Sequence, residues 1–326
     1  MSDAESFERA GDEQIDAELR PIVIAGRKRM AARPPAGTVS IAEIRARASA
    51  EFAEWNADPT PIARVTDLNA TADDRQIALR LYDPCPGEDS SLLVYLHGGG
   101  WMVGDLDFED AAARWLAAHS GGRILSVDYR LVPEHPFPAA IDDAVAIIEW
   151  LSKGEGPPVA PDRVGLGGAS AGANVALGAA LTLRDAGSPM PRVLLLMYGA
   201  YLGGAPTPSQ QQYGDGRFGL PAATMSYFWR CYAGGEPGDA HPYIVPAGHD
   251  LRGLPPTFIN YAGLDILRDD SIELARQLGD CGVPVELRGY PAAIHGFTQY
   301  SKASRLARQA LMEAGVAIRT ATAGGR

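Results

Sequence analysis

The chain has 326 residues, 46% of them apolar and 21% charged; this composition excludes general disorder and is ample for one large buried core. Twenty-nine basic residues against 40 acidic ones leave a net charge of −11, which repels phosphate backbones and anionic lipid, so neither nucleic acid nor membrane is expected as a partner. The longest near-continuous apolar run, residues 193–202, is far short of the ~20 residues that a spanning helix needs.

The opening MSDAESFERAGDEQ is acidic and polar. A signal peptide needs a basic start and then an apolar stretch, so a cytoplasmic location is expected. Two helices follow, over about 12–33 and 40–57, where Ile15, Leu19, Ile22 and Val23, then Ile41, Ile44, Ala48, Phe52 and Trp55, recur at threes and fours. Pro21 kinks or restarts the first helix, residues 33–37 separate the two, and Ser40 with Glu43 reads as a capping box. Residues 1–60 are therefore expected to form an N-terminal helical cap or arm, ahead of a catalytic domain over 61–326.

Alternating patterns predict strands at 63–68 and 76–82, then a fully apolar strand at 92–96. Helices at 109–119, 138–151 and 170–184 alternate with strands at 123–127, 163–167 and 193–198. A Gly/Pro/Gln-rich stretch opens a cap insertion at about 203–250, with one helix near 222–232. Strands at 257–261 and 285–289 and helices at 269–281 and 298–317 complete the chain. The fold class is α/β: a mostly parallel sheet with helices on both faces and an antiparallel edge. In such sheets the reacting groups sit at the carboxyl ends of strands.

Gly168-Ala169-Ser170-Ala171-Gly172 is G-x-S-x-G between a strand and an apolar helix. A serine on so sharp a turn stands clear of the sheet, and its neighbours must be small because strand and helix converge there. Ala171 then offers its N–H at a helix start, where negative charge is favoured. His97-Gly98-Gly99-Gly100-Trp101 follows the strand at 92–96. Three glycines let backbone N–H groups face the oxygen that becomes negative in acyl transfer. His97 at the loop entry suits a structural hydrogen bond better than the role of base.

A serine nucleophile needs a base, and the base needs an orienting carboxylate; on this kind of elbow the order is Ser, acid, His. Of the histidines after Ser170, His241 and His249 lie in the insertion, whereas His295 lies at a strand end. Asp265 follows the strand at 257–261, while Asp269 and Asp270 start a helix, where capping accounts for them. Ser170, Asp265 and His295 are the expected catalytic set. Cys85, Cys231 and Cys281 have no metal-ligand spacing; reduced thiols, no metal and no cofactor are expected.

Taken together, these motifs resemble the hormone-sensitive-lipase-like esterases of the α/β-hydrolase fold, a bacterial carboxylesterase group. Residues 97–101 match HGGGW, residues 129–140 match YRLAPEHPFPAA almost throughout, and residues 168–174 resemble GDSAGGN. Residues 265–270 resemble DPLRDE, and 295–297 match HGF. The resemblance implies Ser170, Asp265 and His295 as triad, the N–H groups of Gly99, Gly100 and Ala171 as oxyanion hole, with His97 and Gly98 as motif support, and a helical cap built partly from the N-terminus. This chain departs from the pattern at Ala169, Ala173 and Ile266.

The expected reaction is hydrolysis of small to medium acyl esters through an acyl-enzyme, with a small-molecule ester as the partner. An amidase or lactonase would use the same triad, and a ligand-binding receptor on the same scaffold would lack the base. Trp101, Met102, Phe218, Tyr227, Phe228, Trp229 and Phe297 are candidates for an apolar substrate pocket. The last helix or an edge strand could pair two subunits into a homodimer.

Overall fold

A computed structural model describes residues 11–32, 39–73, 75–88, 90–235 and 241–323. The break expected at 33–37, the first ten residues of the N-terminal arm, and 236–240 of the cap insertion lie outside the described residues.

Short apolar runs bounded by turn residues become the strands: β1 (Arg64–Ala72), β2 (Arg75–Asp83), β3 (Leu92–Leu96), β4 (Arg123–Val127), β5 (Val164–Ala169), β6 (Val193–Met197), β7 (Thr257–Leu264) and β8 (Val285–Ile294). They form one sheet in the order β1-β2-β4-β3-β5-β6-β7-β8. β1 and β2 pair antiparallel, β2 pairs antiparallel with β4, and the remaining pairs are parallel. The expected mostly parallel sheet with an antiparallel edge is the one found. Every residue of β3, β4, β5 and β6 is buried, which explains why their sequences run apolar without alternation.

The helices are α1 (Arg20–Ala31), α2 (Ile41–Asn56), α3 (Asp110–Ser120), α4 (Ala139–Ser152), α5 (Ala171–Ala186), α6 (Pro208–Tyr213), α7 (Ala222–Ala233), α8 (Arg268–Asp280) and α9 (Arg305–Thr322). α3 packs on α9, and α4 on α5. Pro21 stands in the first turn of α1 and so starts it, and Ser40 and Glu43 form the capping box of α2. No helix among the described residues is long and apolar enough to cross a membrane.

Several expected boundaries move: the first helix, expected from about 12, begins at Arg20, and β1, expected to end at 68, runs to Ala72. β7 and β8 run on to Leu264 and Ile294, past Gly263 and Pro291, because a bulge between Ala262 and Leu264 brings those two residues together. Pro291 is tolerated because β8 is the edge strand, where a missing N–H costs no ladder bond. The last helix begins at Arg305, capped by Ser304, and residues Phe297–Tyr300 form a 3-10 turn instead. α6 was not expected; Thr207 caps it and Pro208 starts it within the Gly/Pro/Gln-rich stretch.

Strand order reverses between β3 and β5. β4 lies on one side of β3, and all later strands lie on the other. A crevice opens at such a reversal, outside the carboxyl ends of the two strands. Leu96 of β3 pairs there with Gly168 of β5, so the HGGGW loop and the serine elbow emerge side by side.

One buried ion pair ties the antiparallel edge to the parallel body. Asp143 of α4 is 1% exposed and accepts the Arg130 N–H (3.0 Å), Arg130 Nε (2.9 Å) and Arg75 Nε (3.0 Å). Asp143→Ala is expected to lower stability by about 2–3 kcal/mol, because charged hydrogen bonds vanish and two arginines lose their acceptor. Urea unfolding followed by tryptophan fluorescence measures it; an unchanged midpoint would contradict this role.

Candidate active site

The chain leaves β5 and turns sharply into α5. Ser170 sits at this turn with φ 53° and ψ −119°, a left-handed conformation that a serine adopts only under constraint. The constraint is the close packing of strand and helix. A Cβ added to Gly172 would lie 2.1 Å from the Leu96 carbonyl oxygen, so only glycine lets α5 approach β3 this closely. The Ser170 N–H bonds the Met197 carbonyl (2.8 Å) and anchors the turn to β6. Asn174, one helical turn on, donates to the carbonyls of Ala200 (2.9 Å) and Ile244 (2.8 Å).

β7 and β8 end beside the same crevice and deliver Asp265 and His295. The Ser170 hydroxyl lies 2.9 Å from His295 Nε2, and His295 Nδ1 lies 2.7 Å from Asp265 Oδ2. Asp265 is 2% exposed and also accepts the Leu267 N–H (3.0 Å). A carboxylate can only accept, so Nδ1 carries the proton, and Nε2 is left free to take the serine proton. Asp269 and Asp270 do not reach the imidazole. Asp269 binds the Ser209 N–H (2.8 Å), and Asp270 the N–H groups of Tyr201 (2.7 Å) and Leu202 (2.9 Å).

The HGGGW loop lies opposite. Gly99 has φ 113°, and a Cβ there would lie 2.1 Å from the Val103 carbonyl oxygen, so no other residue fits. Among the described residues, the N–H groups of Gly99, Gly100 and Ala171 are bonded to no acceptor. His97 is 4% exposed; its Nδ1 donates to the Gly98 carbonyl (2.7 Å), and its ring stacks on Tyr129 at 4.4 Å. The Tyr129 hydroxyl in turn donates to the His97 carbonyl (2.7 Å). Because a peptide is planar, holding the Gly98 carbonyl on one side aims the Gly99 N–H to the other.

These groups surround a cavity of about 180 Å³, with Ser170, His295 and Gly98–Gly100 on its floor. Its apolar walls are Phe52 from α2, Val103, Phe108, Leu220, Met225, Phe228 and Tyr300. A larger cleft of about 730 Å³ lies between α2 and the β1–β2 edge. Its arginines are paired within it, Arg80 to Asp67 and Asp107 (2.6 Å each) and Arg114 to Asp110 (2.6 Å), and its one hydroxyl side chain, Ser49, has no histidine beside it in the lining.

The pocket residues expected from the sequence are largely elsewhere. Of the seven, Phe228 lines the cavity. Trp101 turns away at φ 61°, stacks on Tyr232 (4.4 Å) and packs at a tilt against Trp229 (4.6 Å), joining the loop to α7. Met102 is buried beneath the loop, and Tyr227 is 47% exposed. Phe218 packs on Tyr213 at 5.3 Å, and Phe297 lies under the site against Tyr290 (5.3 Å) and Tyr198 (5.8 Å). Phe52 and Tyr300 were missed because only tertiary packing brings α2 and the segment after His295 together.

Comparison with known proteins gives the family. Residues 93–299 match the α/β-hydrolase-fold family. The chain belongs to the hormone-sensitive-lipase-like carboxylesterases of that family. It is 37% identical over 268 residues to esterase LipI of Mycobacterium tuberculosis, covering 79% of this chain and 82% of that one. Carboxylesterase NlhH of the same organism is 36% identical over 231 residues, covering 69% of this chain and 72% of the relative. Among solved structures, an esterase from Pyrobaculum calidifontis superposes with a TM-score of 0.84 at 31% identity, covering 94% of this chain and 98% of the other. An ester hydrolase from the Lake Arreo metagenome gives 0.87 at 30% identity, covering 95% and 100%.

Burial gives this carboxylesterase a pH-sensitive loop. It lowers the His97 imidazole from its ordinary 6.5 to about 4, although the Gly98 carbonyl favours the charged form. The native state therefore refuses a proton that the unfolded chain accepts, and stability falls as pH drops from 6.5 towards 4. Between pH 7 and pH 5, the wild type should lose about 2 kcal/mol more than His97→Asn, whose amide can supply the same donor. Equal losses in paired urea titrations would contradict it.

Proposed function

We propose that Ser170, His295 and Asp265 form the catalytic triad of a carboxylesterase acting on small acyl esters. The observation that carries the reading is the continuous relay from hydroxyl to imidazole (2.9 Å) to carboxylate (2.7 Å). It opens on a cavity that Gly99 and Gly100 also line.

Ser170 Oγ attacks the ester carbonyl while His295 Nε2 takes its proton. Asp265 holds the imidazole in the required tautomer and stabilises the imidazolium. The N–H groups of Gly99, Gly100 and Ala171 receive the oxyanion, which forms only in the transition state and intermediate, so they lower the barrier rather than tighten substrate binding. His295 then protonates the leaving alcohol, and water repeats the sequence on the acyl-enzyme. The elbow's left-handed turn pre-positions Oγ and removes a reorientation step.

A cavity of about 180 Å³ is below the usual range for drug-sized ligands of about 300–1,000 Å³. Apolar walls of that size suit a short acyl chain. p-Nitrophenyl acetate and butyrate are expected to turn over much faster than octanoate, and palmitate hardly at all. Ser170→Ala should lower kcat at least about 10⁴-fold. Retained activity in Ser170→Ala would remove the nucleophile assignment, and preference for palmitate would remove the short-acyl one.

A further inference from the structure

The proposed triad leaves one buried carboxylate beside the site without a task. Glu109 is 4% exposed. It stands at the N-cap position of α3, where an acidic side chain ordinarily bonds its own helix, yet it makes no such bond. Its carboxylate points instead at the backbone of the glycine loop. Oε1 accepts the Gly98 N–H (3.2 Å) and Gln299 Nε2 (2.7 Å), and Oε2 accepts the Tyr95 hydroxyl (2.6 Å). Only Gly98 separates it from the serine: a Cβ built on Gly98 would lie 3.1 Å from Glu109 Oε1 and 3.3 Å from Ser170 Cβ.

We propose that Glu109 is a positioning residue for ester hydrolysis, locking the glycine loop to the segment that follows His295 through the hydrogen bonds it accepts. This rests on the triad reading above. The two peptides flanking the Gly98 Cα are then gripped independently. Glu109 holds the N–H of one, and His97 holds the carbonyl of the other (2.7 Å). With both planes fixed, the direction of the Gly99 N–H is fixed too. Without Glu109, the His97–Gly98 peptide keeps only the bond from Tyr129 to its carbonyl, at the start of a run of three glycines, the most permissive backbone available. Gln299 extends the clamp, because it also lines the cavity in the 3-10 turn two residues past His295.

A carboxylate is costly to bury here and is held by what it accepts. Burial raises the Glu109 carboxyl above its ordinary range, and the bonds from Tyr95, Gln299 and Gly98 only oppose that cost. An apolar side chain would avoid that cost but would leave the donors of Gly98, Gln299 and Tyr95 without this acceptor. All three partners belong to the site or to the strand that leads into it.

The test compares full-length wild type, Glu109→Gln and Glu109→Ala on p-nitrophenyl acetate, with kcat expressed per active site titrated by a chromogenic phosphonate. A misaimed loop costs transition-state stabilisation, so Glu109→Ala should lose about 10–100-fold in kcat with KM within about twofold of wild type. Glu109→Gln keeps an oxygen that accepts from both Gly98 and Gln299 and should stay within about fivefold of wild type. Should Glu109→Ala fail to fold, Glu109→Met, which fills the space without an acceptor, takes its place and its expected loss. A merely structural role would lower the number of titratable sites and Tm while leaving kcat per site unchanged, and that result overturns the proposal. So does a Glu109→Gln enzyme as slow as Glu109→Ala. If wild type is active in a Ser170-dependent way, these outcomes count against Glu109 alone; a wild type that cleaves no ester overturns the triad reading and this one with it.

Discussion

The site depends on one steric constraint: the carbonyl of Leu96 presses against the Cα of Gly172 with no room for a side chain. That contact draws the first turn of α5 onto the end of β3. Ser170 is thereby forced into the left-handed turn that lifts its hydroxyl off the sheet. The same closeness sets the HGGGW loop, which leaves the same strand, within reach of that hydroxyl. Topology supplies the rest. Strand order reverses at β3 and β5, so the connections that leave their ends diverge and open the crevice between them.

Much of the fold was legible because burial is uniform where it matters. β3 and β4 fall at the expected residues, since a strand covered on both faces must be apolar throughout. Errors cluster where one residue type carries two meanings. The strands expected at 257–261 and 285–289 run past Gly263 and Pro291, because a bulge and a free edge make these residues part of β7 and β8. Thr207-Pro208 read as loop, although a cap and a fixed φ are what a short helix needs to begin.

The residues of the proposed triad were legible for a different reason. Each stands at a strand end, and strand ends can be counted along a chain. The walls of the cavity cannot be counted that way. Phe52 lies about 120 residues before Ser170, and Tyr300 stands in a turn that read as helix. Trp101 has the size and position of a pocket residue, but its positive φ sends the ring to Tyr232 instead. Glu109 read as the start of a helix, which is correct for its backbone; nothing in the local sequence reports that its side chain turns from its own helix to Gly98.

Arg45 of α2 links two features described separately above. It donates from Nε to the Met102 carbonyl (2.9 Å) and from its terminal nitrogens to the Val132 carbonyl (3.1 Å) and both Glu134 carboxylate oxygens (2.9 and 2.7 Å). The helix that carries Phe52 over the cavity is thus tethered to the loop that holds the backbone donors. Lifting this helix to widen the mouth would strip an arginine from two carbonyls and a carboxylate at once. Opening the mouth at α2 and keeping the glycine loop still are mechanically opposed here.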